Sequence, residues 1–286
     1  MDYKDWRAAL EELITAGLRE HQPARIGAAL ASEAARVGRQ PALPRPAKPV
    51  APVTPVAAAA VLGVDACRAG WVGVVLRPGT APVVLVAATV AELLELARPD
   101  GPVALVAVDI PIGLPDSGAR QADALARKAL PGKASSVFTT LTRAAYQAET
   151  YAEGREANKR ATGGVSASAQ AYALRTKILE VDAWVRSGPG VPVIEVHPEL
   201  SFATLAGAPL LDSKKSAEGA AARRSVLGTA GLAAPAWSSG SGYDEDDLLD
   251  ACAAAWTAQR HAAGTAESLP AEPEVFSDGL AAAIWR

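Results

Sequence analysis

From residue 61 onward, short runs of β-branched and other apolar residues alternate with stretches of helical periodicity. Short apolar runs bounded by turn residues predict strands, and longer periodic stretches predict helices. Strands are predicted at residues 61–65, 71–76, 83–87, 103–109 and 191–196, and helices at 90–98, within 117–187, at 216–230 and at 244–261. Strands first, interleaved helices later and a closing helix predict a three-layer α/β fold in which helices cover both faces of a mixed sheet.

The first 60 residues differ in composition from the rest of the chain. Residues 5–37 carry apolar side chains at helical spacing, Trp6, Leu10 and Leu13 among them. Residues 41–60 contain six prolines, which favour an extended linker. We therefore predict a helical extension at 1–40, a linker at 41–60 and a main domain at 61–286. The apolar stripe predicts that residues 1–40 bind a protein partner or a second copy of the chain.

Composition excludes several classes of protein. With 286 residues, 50% of them hydrophobic, the chain is not disordered as a whole. It has no run of roughly 18 apolar residues and no signal-peptide pattern at its start, so we predict a cytoplasmic protein without membrane contact. Cys67 and Cys252 alone cannot form a disulfide framework or a Cys-based zinc site. The net charge of −3 argues against coating nucleic acid by bulk charge, but it leaves local binding open.

Acidic residues lie at the ends of two predicted buried strands, at Asp65 and Asp109. Such a carboxylate either caps a following turn or needs a counter-charge or a cation, because burying an unpaired charge is costly. This edge of an α/β sheet is also where ligands bind. Glu195 shares a strand face with His197, and an acid within a β-branched strand needs a partner. His197 is a candidate metal ligand, a general base or a hydrogen-bonded structural residue.

A run of acids opens the last predicted helix. The first of them are typical of a helix N-terminus, where the macrodipole favours negative charge. Asp250 differs, because it lies past the first turn in a segment that is otherwise apolar and predicted to be buried on most sides. Asp247 lies three residues before it and shares its face. The sequence supplies no nearby Lys or Arg before Arg260, so Asp250 is expected to need a cation from elsewhere.

These acids outnumber the local cations, so mutual repulsion would raise their pKa values unless a divalent ion neutralised them. Oxygen ligands without a Cys or His cluster favour Mg²⁺ or Mn²⁺. Hard cations held by carboxylates serve phosphoryl chemistry above all. The residues by themselves thus indicate a carboxylate-bound Mg²⁺ or Mn²⁺ site that serves phosphoryl chemistry.

Five segments, in order, resemble the motifs of the predicted RNase H-like nucleases known as domain of unknown function 429. The segments are GVDACRAGW at 63–71, DIPIGLP at 109–115, SSVF at 135–138, EVHPE at 195–199 and DDLLDA at 246–251. The resemblance covers the chain from about residue 61 and implies an RNase H-like catalytic domain. It also implies metal-binding acids at the end of the first strand, at the end of the fourth strand and on the last helix.

Carried over to this chain, those positions are Asp65, Asp109 and the pair Asp247 and Asp250, with Glu195 as a strand ligand or base. We therefore predict a metal-dependent nuclease in which Asp65, Asp109 and Asp250 are the metal ligands and Asp247 and Glu195 are further catalytic residues. The Asp-x-x-Asp spacing is similar to the closing helix of Holliday-junction resolvases. Family members tend to have a basic run before the Ser-Ser-Val-Phe motif, whereas this chain has only Lys133 there.

A basic helical insertion at about 117–187 predicts a nucleic-acid partner, either DNA or RNA. It holds eleven basic and six acidic residues, a local balance of +5, beside the acidic motifs. Such a segment can hold backbone phosphates, although solvated helix faces are often equally basic. The predicted substrate-binding residues are Arg68, Lys133, Ser135, Ser136, Gln170, His197 and Lys214.

Two other functions fit parts of the sequence. Gly63, Asp65 and Gly70 loosely resemble the first phosphate loop of nucleotide-dependent phosphotransferases of the actin and sugar-kinase type, but the sequence has no convincing second glycine-rich loop. The carboxylates would also suit a non-catalytic binding protein that is stabilised by a cation.

Overall fold

The computed structural model describes residues 59–286, so the predicted helical extension and residues 41–58 of the predicted linker lie outside the described residues. The described chain forms one seven-stranded mixed sheet with the order β3-β2-β1-β4-β5-β7-β6. β1, β4, β5 and β7 run parallel, whereas β2, β3 and β6 are antiparallel to their neighbours. The strands are β1 (Ala60–Cys67), β2 (Gly70–Leu76), β3 (Val83–Ala87), β4 (Val103–Val108), β5 (Val193–Val196), β6 (Ser268–Val275) and β7 (Ala281–Trp285).

Helices flank this sheet. They are α1 (Val90–Ala97), α2 (Gln121–Ala129), α3 (Arg143–Gln147), α4 (Tyr151–Thr162), α5 (Ala169–Ala173), α6 (Arg175–Arg186), α7 (Pro198–Ala206), α8 (Ala217–Thr229) and α9 (Glu245–Ala262). Side chains of β1 alternate between two apolar clusters, because successive residues of a strand face opposite ways. Leu62 packs in a cluster with residues of α1 and α6, and Val61 packs in another with residues of α7, α8 and α9. The prediction of a mixed α/β fold is confirmed.

The end of the chain differs from the prediction, because two strands follow the last helix. β6 contains Pro270 and Pro273, and β7 begins with three alanines, so neither segment has the β-branched alternation that predicts a strand. β6 is the edge strand of the sheet, where proline is tolerated because its missing amide need not join the ladder. Among residues 59–286, no helix is both long enough and apolar enough to span a membrane.

The close packing of α9 on β1 depends on Gly63. A Cβ atom at this position would overlap the backbone nitrogen of Ala255 and the carbonyl oxygen of Ala251. The facing residues of α9 are mostly alanines, and they are completely buried. The helix backbone therefore lies directly on the strand backbone, which brings side chains near the start of α9 close to the carboxyl end of β1.

Gly63→Ala should destabilise the protein by about 1–3 kcal/mol or more, because neither backbone can give way without shifting α9. Denaturation in urea measures the free energy of unfolding. Gly228→Ala is the matched control. Gly228 lies in α8 with no heavy atom near the position of a Cβ, so Ala there should stabilise the protein by about 0.5–1 kcal/mol. Equal effects at both positions would contradict this description of the packing.

Candidate metal centre

Three aspartates meet at the carboxyl end of β1. Asp65 lies near the end of β1, Asp109 directly follows β4, and Asp250 lies on α9. Each offers a carboxylate oxygen, and these oxygens lie within 4.8 Å of one another. They converge because β1 and β4 are adjacent parallel strands that end at one edge, while the contact at Gly63 brings α9 over the same edge.

Burial distinguishes these aspartates from an ordinary acidic surface. Asp65 is 7% exposed and Asp250 is 2% exposed, while Asp109 is half-buried. Asp65 Oδ1 accepts a hydrogen bond from the amide of Ala66 at 2.7 Å. The buried Oδ1 of Asp250 has no hydrogen-bond partner among residues 59–286. A buried carboxylate oxygen without a donor is costly, and a cation would satisfy it.

Burial raises the pKa values of all three carboxyl groups, and repulsion within the cluster adds to the rise at Asp65 and Asp109, whereas Lys214 opposes it at Asp250. Burial is the largest cause at each position. It raises the pKa of Asp109 to about 8 and that of Asp250 to about 6. The pKa of Asp65 lies well above its usual range because of burial and then the charges of Asp109 and Asp250. The site therefore holds negative charge at a high energetic cost, which a divalent cation would offset.

Lys214 supplies, from elsewhere in the chain, a cation of the kind that Asp250 was expected to need. The Nζ atom of Lys214 donates to Asp250 Oδ2 at 2.6 Å and lies 3.7 Å from Asp246 Oδ2. Lys214 comes from the loop between α7 and α8, 36 residues before Asp250, so inspection of the local sequence could not find it. The carboxylates around it raise the pKa of Lys214 above its usual range, even though burial lowers it.

Asp247 has a local role at the start of α9. Its Oδ2 accepts a hydrogen bond from the backbone amide of Asp244 at 2.9 Å, as one half of a capping box. It is half-buried and lies outside the group of three oxygens that could share an ion. The predicted catalytic role of Asp247 therefore stays a prediction, while its capping role has direct contacts.

Glu195 is held by Arg120, which the sequence marks only as one of the basic residues of the insertion. Arg120 Nη2 lies 2.7 Å and 2.8 Å from the two carboxylate oxygens of Glu195. The amide of Ile112 donates to Glu195 Oε2 at 2.7 Å. Burial raises the pKa of Glu195 to about 7, against the lowering effect of Arg120. The expected partner of this strand acid is thus an arginine side chain and a backbone amide, which position Glu195 beside Asp109.

Three of the predicted substrate-binding residues meet at one loop next to Asp109. Lys133 and Ser136 lie on this loop, and His197 contacts it. His197 Nε2 lies 3.2 Å from the carbonyl oxygen of Ser136, and Ser136 Oγ donates to the carbonyl of Lys133 at 2.9 Å. Lys133 Nζ donates to the carbonyl of Asp212, two residues before Lys214, at 3.0 Å. A cavity of about 20 Å³ lies between Asp109, Phe138, Thr140 and His197, which is enough for one water molecule.

Three further predicted substrate-binding residues, Arg68, Ser135 and Gln170, are exposed to solvent. Arg68 is 69% exposed, with Nη1 3.5 Å from a carboxylate oxygen of Asp244 at the start of α9. Ser135 is exposed on the same loop as Ser136. Gln170 is exposed on α5, and nothing in the structure links it to the three aspartates. Arg68 and Ser135 therefore lie on elements that border the site, whereas Gln170 does not.

Most basic side chains of the insertion form ion pairs or hydrogen bonds within the folded protein. Six of its eleven basic residues form ion pairs with acidic residues of the described chain, namely Arg120, Arg143, Arg155, Lys159, Lys177 and Arg186. Arg127 and Arg175 donate to backbone carbonyls. Among the described residues, acids outside the insertion pair with two of these basic residues, Arg120 with Glu195 and Arg143 with Asp278, so the local balance of +5 overstates by two the net charge that the insertion presents to a partner.

Fold and site together define a mixed α/β protein with a buried cluster of three carboxylates at the carboxyl edge of its sheet. The chain belongs to the family described as "Protein of unknown function (DUF429)", which matches residues 63–275. The match includes all three aspartates, Glu195 and Lys214. No curated protein and no solved structure matches the chain.

The raised pKa values predict opposite effects of pH on the metal-free protein and on metal binding. The folded state binds more protons than the unfolded state between about pH 4 and pH 8, so stability should fall as pH rises through this interval. The affinity for Mn²⁺ should rise over the same interval, because the ion competes with protons. Thermal denaturation with EDTA and with Mn²⁺ from pH 5 to pH 8.5 measures both. A stabilisation by Mn²⁺ that is constant across this range would contradict the prediction.

Proposed function

We propose that this chain is a metal-dependent nuclease with an RNase H-like domain, and that Asp65, Asp109 and Asp250 hold its metal. The observation that carries the proposal is the convergence of three carboxylate oxygens within 4.8 Å in a largely buried site. A cluster of surface acids would be weaker support, because exposed carboxylates are common without an ion. Here the burial and the unpartnered Oδ1 of Asp250 favour a bound cation.

The donor set favours Mg²⁺ or Mn²⁺. All three candidate ligands are carboxylates, and hard oxygen donors suit these ions. When bound, such an ion supplies charge neutralisation at a phosphoryl group and a more acidic water. Asp65, Asp109 and Asp250 would hold that ion at the carboxyl end of β1, because Asp65 lies on β1, Asp109 directly follows the neighbouring β4 and Asp250 lies on the helix packed over them.

The arrangement of strands supports the RNase H-like assignment. An antiparallel meander of β1, β2 and β3 adjoins β4, which is parallel to β1. The acids lie near the end of the first strand, after the fourth strand and on the last helix. These are the positions that the family resemblance implies. β6 and β7 extend the sheet beyond that pattern.

The proposed reaction is hydrolysis of a phosphodiester in nucleic acid. Water adds to phosphorus, the bond from phosphorus to one ester oxygen breaks, and a phosphomonoester and a hydroxyl group result. Arg68, an exposed cation at the border of the site, would contact backbone phosphates. Lys133 and Ser135 lie on the loop next to Asp109 and are proposed to do the same.

The proposal is tested by incubating the protein with labelled single-stranded DNA, duplex DNA, RNA and a four-way junction, each with Mg²⁺, with Mn²⁺ or with EDTA. We expect cleavage of at least one substrate that requires the metal and stops in EDTA. Binding of Mn²⁺ without cleavage of any substrate would contradict the nuclease and favour the cation-stabilised binding protein. Phosphate transfer from ATP without any cleavage of nucleic acid would favour the phosphotransferase.

A further inference from the structure

Lys214 supplies a permanent positive charge within the acidic site. Its Nζ lies 2.6 Å from Asp250 Oδ2 and 3.7 Å from Asp246 Oδ2. Asp246 and Asp250 are four residues apart on α9 and therefore share one face of the helix. Both are buried, with 8% and 2% of their surface exposed. The ammonium group thus contacts two buried carboxylates from a single position and offsets the charge of one of them.

The loop that carries Lys214 is held in place. The carbonyl of Ser213 packs against Gly219 of α8 so closely that a Cβ atom there would overlap it. The same carbonyl accepts a hydrogen bond from the amide of Ser216 at 3.0 Å. On the other side, Lys133 Nζ donates to the carbonyl of Asp212. Lys214 therefore projects from a backbone fixed on both sides, and its charge is a built-in part of the site.

The two carboxylate oxygens of Asp250 have different surroundings. Oδ2 accepts a hydrogen bond from Lys214, while the buried Oδ1 has no partner in the described part of the chain and is available to a metal ion. With Asp246 the site holds four carboxylates, so one divalent ion and the ammonium group would leave a single negative charge. A second divalent ion would compete with Lys214 for Oδ2.

We propose that Lys214 takes the place of a second metal ion, so that the centre binds one divalent ion per chain. This inference rests on the metal centre of the proposed function and specifies its composition. Carboxylate sites for phosphoryl transfer often hold two ions about 3.5–4 Å apart. In this chain the position between Asp246 and Asp250 already holds a cation, which belongs to the protein.

Removal of that charge should open a second metal site. In Lys214→Gln the side chain keeps most of its length but has no charge, so Asp246 and Asp250 Oδ2 become available. Both oxygens lie within 3.7 Å of the vacated Nζ position. Lys215→Gln is the matched control, because Lys215 is the exposed neighbour and its side chain forms no ion pair in the described part of the chain. Lys214→Arg keeps the charge.

The test is a count of bound Mn²⁺ on the full chain by calorimetric titration, with electron paramagnetic resonance at saturation. We expect one ion per chain, with the signal of an isolated Mn²⁺, in wild type, in K215Q and in K214R. We expect two ions with a spin-coupled signal in K214Q. Circular dichroism verifies that each variant is folded, and if K214Q does not fold, the wild-type count alone decides.

Two ions per wild-type chain, both lost in Asp250→Asn, would overturn the proposal. A single ion in folded K214Q would also overturn it. One ion in wild type without cleavage of any nucleic acid would refute the proposed nuclease and leave this inference standing, provided K214Q binds two. Two ions per wild-type chain together with metal-dependent cleavage would refute the inference and leave the proposed nuclease function standing. No binding of Mn²⁺ would refute both.

Discussion

Asp65→Asn is expected to abolish stabilisation by Mn²⁺ and to lower metal-dependent cleavage by about 10³-fold. The loss follows because one of three anionic ligands disappears, and the ion contributes several kcal/mol to stabilising the charge of the transition state. The metal-free variant should be at least as stable as wild type at pH 8. The substitution conserves shape and removes a buried charge whose pKa is raised by burial and by Asp109 and Asp250.

The combination of the two effects identifies the role of the residue. A residue that only supports the fold would lose stability and activity together, whereas a metal ligand loses activity and gains metal-free stability. Thermal denaturation with EDTA and with Mn²⁺, together with the cleavage assay, measures both. Asp100→Asn, at an exposed position, is the control and should change neither. Retention of the Mn²⁺ effect in Asp65→Asn would contradict the assignment.

Arg120→Met is expected to lower the free energy of unfolding by about 3–5 kcal/mol, the cost of breaking a buried ion pair from one side. The Arg120 side chain is completely buried and bonds to both oxygens of Glu195. It also lies 3.4 Å from an oxygen of Asp123. Its removal would leave two buried carboxylates without a counter-charge. Urea denaturation at pH 8 measures the loss.

Two further variants separate this effect from lost packing. In the double variant Arg120→Met with Glu195→Gln, one of the two unpaired buried charges is absent, so part of the lost free energy of unfolding should be recovered. Arg98→Ala breaks an ion pair with Glu95 in which both partners are partly exposed, and it should change stability by only about 0–1 kcal/mol. A loss in Arg120→Met no larger than in Arg98→Ala would show that the buried pair does not hold the region together.

Much of the sheet could be predicted because its central strands are buried and β-branched. Val61–Leu62 and Val106–Val108 illustrate this pattern, and each is buried in β1 or β4. β6 and β7 could not be predicted, because their formation depends on the neighbouring strands rather than on local propensity. The alanines of β7 are equally typical of a helix, and the prolines of β6 are typical of a loop.

The convergence of Asp65, Asp109 and Asp250 was predictable, since strand ends meet at one edge of a sheet and a buried acid on a helix needs a partner. The cations of the region were not. Lys214 reaches Asp250 across 36 residues and Arg120 reaches Glu195 across 75. A single sequence marks a buried acid as needing a partner, but it does not say which of many basic residues the fold will bring to it.

The most direct test of the metal centre is the anomalous diffraction of crystals soaked in Mn²⁺. We expect one peak per chain, within bonding distance of a carboxylate oxygen from each of Asp65, Asp109 and Asp250 and next to Lys214. The peak should be absent from crystals of Asp65→Asn. Soaked wild-type crystals with no peak between these three aspartates, or with Mn²⁺ bound only elsewhere on the chain, would contradict the central claim.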